Sequence, residues 1–369
     1  MDQSQSPSVL VAAGGTGGHL FPAAALAGAH AGRGIAVHLA TDRRAIRFGE
    51  TFEQEAIHVV ASATIRSRNP VALTQTAAAL GLGLLQAWRL IGRLHPAAVI
   101  GFGGYPSVPP VLAAVWRGVP TVIHDANAVV GRANRLLAPR VTAIATTFPE
   151  TFDAAPALAA KATLTGNPVR SPVIAAAATP YSAPSDLLRL LIFGGSQGAR
   201  IMADIVPAAI ALLEGGLRAR LHIVQQAREE DLARVREAYT SLSVAAEVAP
   251  FFSDLPERIA ASHLVVARSG ASTVAELAAI GRPSILVPLP HAIDQDQLAN
   301  AGVLDRAGGA LRLVQEAFTP ARLAAEIATL AEAPQRLIAM AGAARSLGRL
   351  DAAALLADLV LDVAAIAKR

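Results

Sequence analysis

An apolar run that ends in a glycine turn and passes directly into an alanine-rich segment occurs twice in this chain. It is "VLVAAGGTGGHLFPAAALA" at 9–27 and "LRLLIFGGSQGARIMADIV" at 188–206. A near-continuous apolar strand belongs to a parallel sheet covered on both faces. The glycine turn then brings backbone N–H groups to a helix N-terminus, whose partial positive charge favours an anion. Neither turn is a dinucleotide fingerprint: Leu20 stands where the third glycine of the first belongs, and the second has no G-x-G spacing. Neither is followed by the Lys-Ser/Thr of a Walker loop.

Around these two units the chain alternates short apolar runs with helical stretches or loops. The first set of runs is 8–13, 35–40, 57–60, 97–102, 119–124 and 141–146. "TGNPVRSP" (165–172) interrupts it, and Pro168 and Pro172 disfavour helix there. The pattern restarts at 188, with further runs at 219–225, 243–248, 263–267 and 283–288. This predicts an α/β chain of two Rossmann-like domains, 1–164 and 165–346, facing across a cleft, with ligands at the carboxyl ends of the strands. A last helix, 347–369, is free to close either domain.

Composition fits that reading. A length of 369 residues exceeds one typical core. With 53% hydrophobic and 16% charged residues, folding is assured. Cysteine is absent, which excludes disulfides, thiol catalysis and thiolate metal sites. The polar start "MDQSQSPS" is not a signal peptide, and no apolar run reaches 18 residues, so a cytoplasmic protein without a spanning helix is expected. Residues 1–165 carry 13 Lys/Arg against 8 Asp/Glu, or +5, leaving −1 for the rest of a chain whose net charge is +4. A basic first half suggests an anionic partner there.

Polar residues gather where the apolar runs end. Asp42 closes the second run, where a dinucleotide enzyme would hold a ribose, which keeps a NAD-dependent oxidoreductase in view. "IGFGGYPSVPP" (100–110) supplies Tyr105 and Ser107 as hydroxyl donors. "VIHDANAVVGRANRLLA" (122–138) puts His124, Asp125 and Asn127 at a strand end, where Asp125 serves either as a base or as a helix N-cap.

The most informative stretch is "HLVVARSGASTVAELAAIGRPSILVPLP" (263–290). A strand delivers Arg268, then Ser269-Gly270 turns into a helix whose first turns carry Ser272, Thr273 and Glu276. Arginine and a helix N-terminus suit a diphosphate, and a carboxylate one turn further suits ribose hydroxyls. In "PHAIDQDQLAN" (290–300), Asp294 and Asp296 with His291 resemble a metal-binding D-x-D. On a helix the two carboxylates point about 200° apart, so no metal is expected. Asp296, Gln297 and Asn300 suit sugar hydroxyls instead. The segment 69–94 reads as a helix in which Leu73, Leu80, Leu84, Leu85 and Trp88 lean to one broad face, with Arg89 and Arg93 near its end. It is either a core helix or an interfacial one touching anionic lipid, with Trp116 and Arg140 joining it if near in space.

Six ordered motifs, "GGTGGHLFPAAALA", "GFGGYPSVPP", "TGNPVR", "GGSQGAR", "ARSGASTVAELAAIGRPSILVPLP" and "DQDQLANA", resemble those of the MurG family over nearly the whole chain. The resemblance implies a GT-B fold and an inverting transfer of GlcNAc from UDP-GlcNAc to the C4 hydroxyl of undecaprenyl-pyrophosphoryl-MurNAc-pentapeptide (lipid I), giving lipid II and UDP. It implies His19 and Asp125 as candidate bases, unranked. The implied donor set is Thr16, Gly17, Gly18, Asn127, Arg170, Ser196, Phe252, Arg268, Ser269, Gly270, Ser272, Thr273, Glu276, Asp296, Gln297 and Asn300. The implied acceptor set is Gly14, Gly15, Thr16, Gly17, Gly18, His19, Tyr105, Asn127 and Asn134.

The family's membrane-facing patch falls on Leu80, Leu84, Leu85, Trp88, Arg89, Arg93, Trp116 and Arg140. That implies peripheral attachment to the anionic inner leaflet; no metal is required if Arg268 and the helix dipole stabilise the leaving UDP, no other cofactor or nucleic acid is expected, and other cell-wall synthesis or division proteins are candidate partners. Three positions depart from the pattern: Asp125 in "HDAN" where Glu is common, Asp296 where Gln or His is common, and Ala203 where some members have Asn. Two other readings stay open beside it: a GT-B transferase or nucleotide-sugar epimerase with a soluble substrate, and the NAD oxidoreductase.

Overall fold

Strand β1 (Ser8–Ala12) is buried from Val9 onward, and its residues alternate between two cores. Val9 and Val11 face one side with Leu20, Leu26, Ile100 and Phe102. Leu10 and Ala12 face the other with Ile91, Val99, Val111 and Ile123. Period-two alternation between two apolar layers is what a strand buried on both faces requires. A computed structural model of the chain describes residues 7–14, 17–42, 52, 56–63, 69–153, 155–195 and 198–366, by backbone alone at 70–73, 293 and 366.

Among the described residues, two compact units form: residues 1–170 with 350–369, and residues 171–349. The first holds β1, β2 (Ala36–Thr41), β3 (Ile57–Val59), β4 (Ala98–Gly101), β5 (Thr121–Asp125), β6 (Ala143–Thr146) and β7 (Ala162–Leu164). Their order in the sheet is β3-β2-β1-β4-β5-β6-β7, every pairing parallel. The second holds β8 (Leu188–Phe193), β9 (Leu221–Gln226), β10 (Ala245–Ala249), β11 (Leu264–Ala267), β12 (Ser284–Leu286) and β13 (Ala310–Arg312). Its order is β10-β9-β8-β11-β12-β13, again all parallel. In both sheets the strand before the glycine turn is central, and the order reverses beside it. Such a switch point opens a crevice at the carboxyl ends of the strands.

The last helix, Ala352–Ile366, closes the first unit. Leu356, Ala357 and Val360 complete the core around Val9 and Val11, and Arg33 meets Asp358 at 2.6 Å on the surface. The apolar face, not this exposed ion pair, holds the helix. Residues 165–170 also stay with the first unit, where the His124 ring reaches the Gly166 carbonyl oxygen at 3.0 Å.

Candidate active site

In the first unit, polar residues collect where β1, β4 and β5 end. His19 is the third residue of the helix Gly17–Ala31, which Gly17 and Gly18 open. Its ring lies over the turn after β4. A Cβ built on Gly103 would stand 3.5 Å from His19 Cε1, and one on Gly104 would stand 3.4 Å from His19 Nε2. Both glycines have positive φ, 84° and 69°, a conformation that disfavours any other residue. Burial pushes the imidazole below its usual 6.5, so it is neutral at pH 7 with a lone pair to offer.

Asp125 neither caps a helix nor offers a bare carboxylate. Its Oδ1 accepts from the Asn127 N–H (3.2 Å), and its Oδ2 accepts from the Gly131 N–H (2.9 Å) and Asn134 Nδ2 (3.1 Å). The N-cap of the helix Arg132–Leu137 is Gly131. Asp125 is buried and organises the loop between β5 and that helix. Asn134, also buried, gives its other amide hydrogen to the His124 carbonyl oxygen at 2.9 Å. Burial pushes the His124 ring down to about 4.

One expected ligand group is spent on structure. The Ser107 hydroxyl donates to the Gly104 carbonyl oxygen at 2.8 Å and is buried, so it braces the turn and is not free for a substrate. Gly14 packs closely, since a Cβ there would stand 2.9 Å from Pro106 Cβ, and its backbone role toward an anion is unaffected by this contact. Tyr105 is half-buried at the head of the short 3₁₀ turn Tyr105–Ser107, and Arg170 stacks its guanidinium 4.3 Å over Phe21. Gly15 and Thr16 lie outside the described residues, as does Ser196.

In the second unit the corresponding edge is built around Arg268, at the end of β11. One guanidinium nitrogen donates to the carbonyl oxygens of Val287 (3.1 Å) and Pro288 (2.9 Å), another to Gln315 Oε1 (2.6 Å). These acceptors are neutral and the group is buried, which lowers its pKa. A cation so placed draws an anion. It stands beside the N-terminus of the helix Ala271–Ile280, whose N-cap is Gly270. Ser272 and Thr273 occupy its first turn, and Ser272 Oγ is buried without a hydrogen-bond partner among the described residues. Glu276 is buried one turn further in.

Ser269 joins this edge to the next helix, Asp296–Arg306. Its hydroxyl donates to the Gln297 carbonyl oxygen (2.8 Å), and its own carbonyl accepts from Asn300 Nδ2 (3.2 Å). Gln297 Oε1 accepts from the Leu289 N–H (3.0 Å). Asp294 is not helical as the sequence suggested. It and Gln295 have positive φ, 55° and 54°, in a 3₁₀ turn that precedes the helix. Burial pushes the Asp296 carboxyl up; the Gln297 N–H at 2.7 Å opposes this, and the Asp294 charge adds to it. Among the described residues no three His, Asp or Glu side chains converge as a metal cluster.

In "PFFSD" (250–254) the resemblance sets the backbone of Phe252, not its ring, against uracil. Phe252 is buried beneath the Arg258 guanidinium, 4.3 Å from its ring centre, whereas Phe251 is 66% exposed. The buried ring leaves the backbone at Phe252 free to keep that role, and the exposed side chain of the pair is Phe251. Two glutamines were missed altogether: Gln315, which holds Arg268, and Gln226, the last residue of β9. A polar doublet closing an apolar strand, "LHIVQQ", was the available signal for the second.

The helix Pro70–Leu94 turns Ala87, Leu90 and Ile91 into the core, and Leu84 packs against the same cluster. Leu84 thus leaves the outward patch, and Leu80 is half-buried. Leu85, Trp88, Arg89 and Arg93 face outward, joined by Leu82, which is 53% exposed. Arg117 stacks 4.3 Å over Trp88, and the residue before it, Trp116, is 58% exposed. Arg140 is exposed, with its guanidinium on the Leu136 carbonyl oxygen. Leu73 carries no described side chain. No helix of the described residues is long and apolar enough to cross a membrane.

Comparison with known proteins gives this geometry a family. The glycosyltransferase family 28 N-terminal domain matches residues 9–146, and the family 28 C-terminal domain matches residues 189–356. A "UDP-N-acetylglucosamine--N-acetylmuramyl-(pentapeptide) pyrophosphoryl-undecaprenol N-acetylglucosamine transferase" of Rhodopseudomonas palustris (strain BisB18) is 60% identical over 369 residues, covering 100% of this chain and 98% of that protein. A protein of the same name from Bradyrhizobium sp. (strain ORS 278) is 61% identical over 365 residues, covering 98% of this chain and 100% of its own.

Among solved structures, Acinetobacter baumannii MurG aligns with TM-score 0.79 at 29% identity, covering 96% of this chain and 99% of its own. The UDP-GlcNAc 2-epimerase of Neisseria meningitidis aligns with TM-score 0.67 at 14% identity over 96% and 100% of the two chains, a likeness of fold alone. The oxidoreductase alternative prompted by Asp42 falls, since transferase domains account for both glycine-turn units. By domain content and by identity along its whole length, the chain is a glycosyltransferase and belongs to the MurG family.

Proposed function

We propose that this chain transfers GlcNAc from UDP-GlcNAc to the C4 hydroxyl of MurNAc in undecaprenyl-pyrophosphoryl-MurNAc-pentapeptide, with inversion, releasing UDP. The observation that carries this reading is identity of 60–61% over nearly the full chain to proteins named for that transfer.

In this mechanism neutral His19 accepts the proton of the acceptor hydroxyl as its oxygen attacks the anomeric carbon of GlcNAc. The bond from that carbon to the diphosphate oxygen breaks, and its electron pair leaves with UDP. His19 is preferred to Asp125 because both Asp125 carboxylate oxygens already accept hydrogen bonds from the loop. The charge gained by UDP is met by Arg268 and the N–H groups that open the helix Ala271–Ile280, so the reading calls for no metal ion. Buried Glu276 receives the ribose hydroxyls, the Phe251-Phe252 segment meets uracil, and Asp296 and Gln297 face the sugar, while Asn300, expected there from the sequence, is fully buried and holds the Ser269 carbonyl behind them. The residues at the ends of β1, β4 and β5 serve the acceptor's sugar and diphosphate.

The acceptor is lipid-borne, and the outward Leu82, Leu85 and Trp88 with Arg89, Arg93 and Arg117, together with Trp116 and Arg140 exposed elsewhere on the same unit, suit an anionic leaflet. This supports a peripheral position on the cytoplasmic face of the membrane.

The direct test supplies labelled UDP-GlcNAc, UDP-glucose or UDP-GalNAc with a lipid I analogue. Transfer is expected from UDP-GlcNAc alone. Equal transfer from all three would defeat the donor assignment.

A further inference from the structure

Strand β9 ends in two adjacent glutamines, and the pleat sends them to opposite faces. Gln225 turns to the core side. Its Nε2 donates to the Met202 carbonyl oxygen at 3.2 Å, and its Oε1 accepts from the Tyr239 hydroxyl. Gln226 turns to the edge where the strands of the second unit end. Its Oε1 accepts from the Gly194 N–H at 3.0 Å, and its Nε2 donates to the Pro250 carbonyl oxygen at 3.1 Å. Gly194 begins the glycine turn after β8, and a Cβ there would fall 2.2 Å from the Ala199 nitrogen, so Gly194 and Ala199 are closely apposed. Pro250 leads into Phe251 and Phe252.

One buried amide therefore spans two loops that follow different strands. Both of its polar ends are satisfied by backbone groups, which fixes its orientation and the separation of the loops. We infer that Gln226 is a positioning residue that holds the phosphate-facing turn at Gly194 and the uracil-facing segment at Pro250 in fixed relation, so that a uridine diphosphate meets both at once. This inference rests on the donor reading given above.

Removing the amide leaves two backbone groups unpaired in a buried place, and the loops move apart to find water. The cost falls on donor binding, since the groups that touch the reacting atoms are elsewhere. Gln226→Leu is therefore expected to raise the KM for UDP-GlcNAc and the Kd for UDP by about tenfold. It leaves the acceptor KM unchanged and kcat within about twofold. Gln226→Glu keeps an acceptor for the Gly194 N–H but sets a carboxylate oxygen against the Pro250 carbonyl, so an intermediate rise is expected. Gln225→Leu, one residue away on the other face, is expected to lower the melting temperature while leaving donor KM unchanged.

The experiment measures UDP binding by calorimetry and steady-state transfer for the full chain and these three variants. If Gln226→Leu proves unfolded, Gln226→Glu carries the test. Folded Gln226 variants that bind UDP like the parent would overturn the inference, as would a Gln225→Leu variant with the same donor defect. A parent chain that fails to bind UDP would instead overturn the donor reading itself.

Discussion

Asn134 Nδ2 lies 3.1 Å from Asp125 Oδ2 and 2.9 Å from the His124 carbonyl oxygen, so one amide fastens the end of β5 to the helix that follows it. Like the Asn127 and Gly131 N–H groups, it donates to a buried carboxylate. Asp125→Ala should thus act on stability, by about 2–4 kcal/mol from the orphaned donors. Denaturation of the variant checks this. A variant of normal stability whose kcat collapses would return Asp125 to the chemistry.

Gly104 carries the His19 ring against its backbone at φ 69°. Gly104→Ala is expected to cost about 1–3 kcal/mol in stability, because φ 69° with ψ 158° is a backbone conformation that only glycine enters readily. It should also lower kcat at least tenfold by displacing the imidazole, because small misplacements of a reacting group are costly. Steady-state kinetics beside a melting curve separates the two effects. Unchanged kcat would mean that the ring does not need this seat.

Acid should weaken the first unit in a defined window. Burial holds His30 and His124 near 4, against 6.5 for an unburied histidine. Between pH 6.5 and about 4 the unfolded chain binds protons that the folded chain does not. Stability is therefore complete above pH 6.5 and falls as the pH drops toward 4, by about 3 kcal/mol for each histidine. Both tryptophans, Trp88 and Trp116, lie in this unit, so their fluorescence follows its unfolding in urea. His30→Leu should retain about 2–3 kcal/mol more of its neutral-pH stability at pH 4.5 than the parent does. An identical loss in both chains would contradict the assignment.

The outward face of the helix Pro70–Leu94 gives a membrane prediction. Leu85→Asp with Trp88→Asp should lower binding to vesicles containing anionic lipid at least tenfold, since two apolar anchors are replaced by charges that the leaflet repels. Leu84 is the contrasting site, because it packs on the core and its replacement by Asp should unfold the unit. Co-sedimentation with vesicles checks the first, and vesicle binding equal to the parent's would assign the face another role.

Much of this was legible in the sequence, for reasons that can be named. The central strands β1, β4, β5, β8 and β11 are apolar runs buried on both sides, so composition alone marks them. The edge strands β7 and β13 were not marked. Each has three residues, "ATL" and "ALR", and takes its conformation from the pairing of a neighbour. Arg268, Ser269, Glu276 and Asn300 come together at one edge because a strand, a turn and two helices bring them there in register. Asp125 was open to two readings because its partners, Gly131 and Asn134, stand six and nine residues away and nothing local selects them. In "PFFSD" no pattern says which ring goes in; Arg258, stacked on Phe252, decides it.

The most direct measurement is the rate at which labelled GlcNAc passes from UDP-GlcNAc to a lipid I analogue, compared between the full chain and His19→Ala. The expected result is steady transfer by the parent, a fall in kcat of about 100-fold or more in the variant, and a KM for UDP-GlcNAc that stays close to the parent's. No transfer by the parent, or a His19→Ala variant that turns over as fast as the parent, would contradict it.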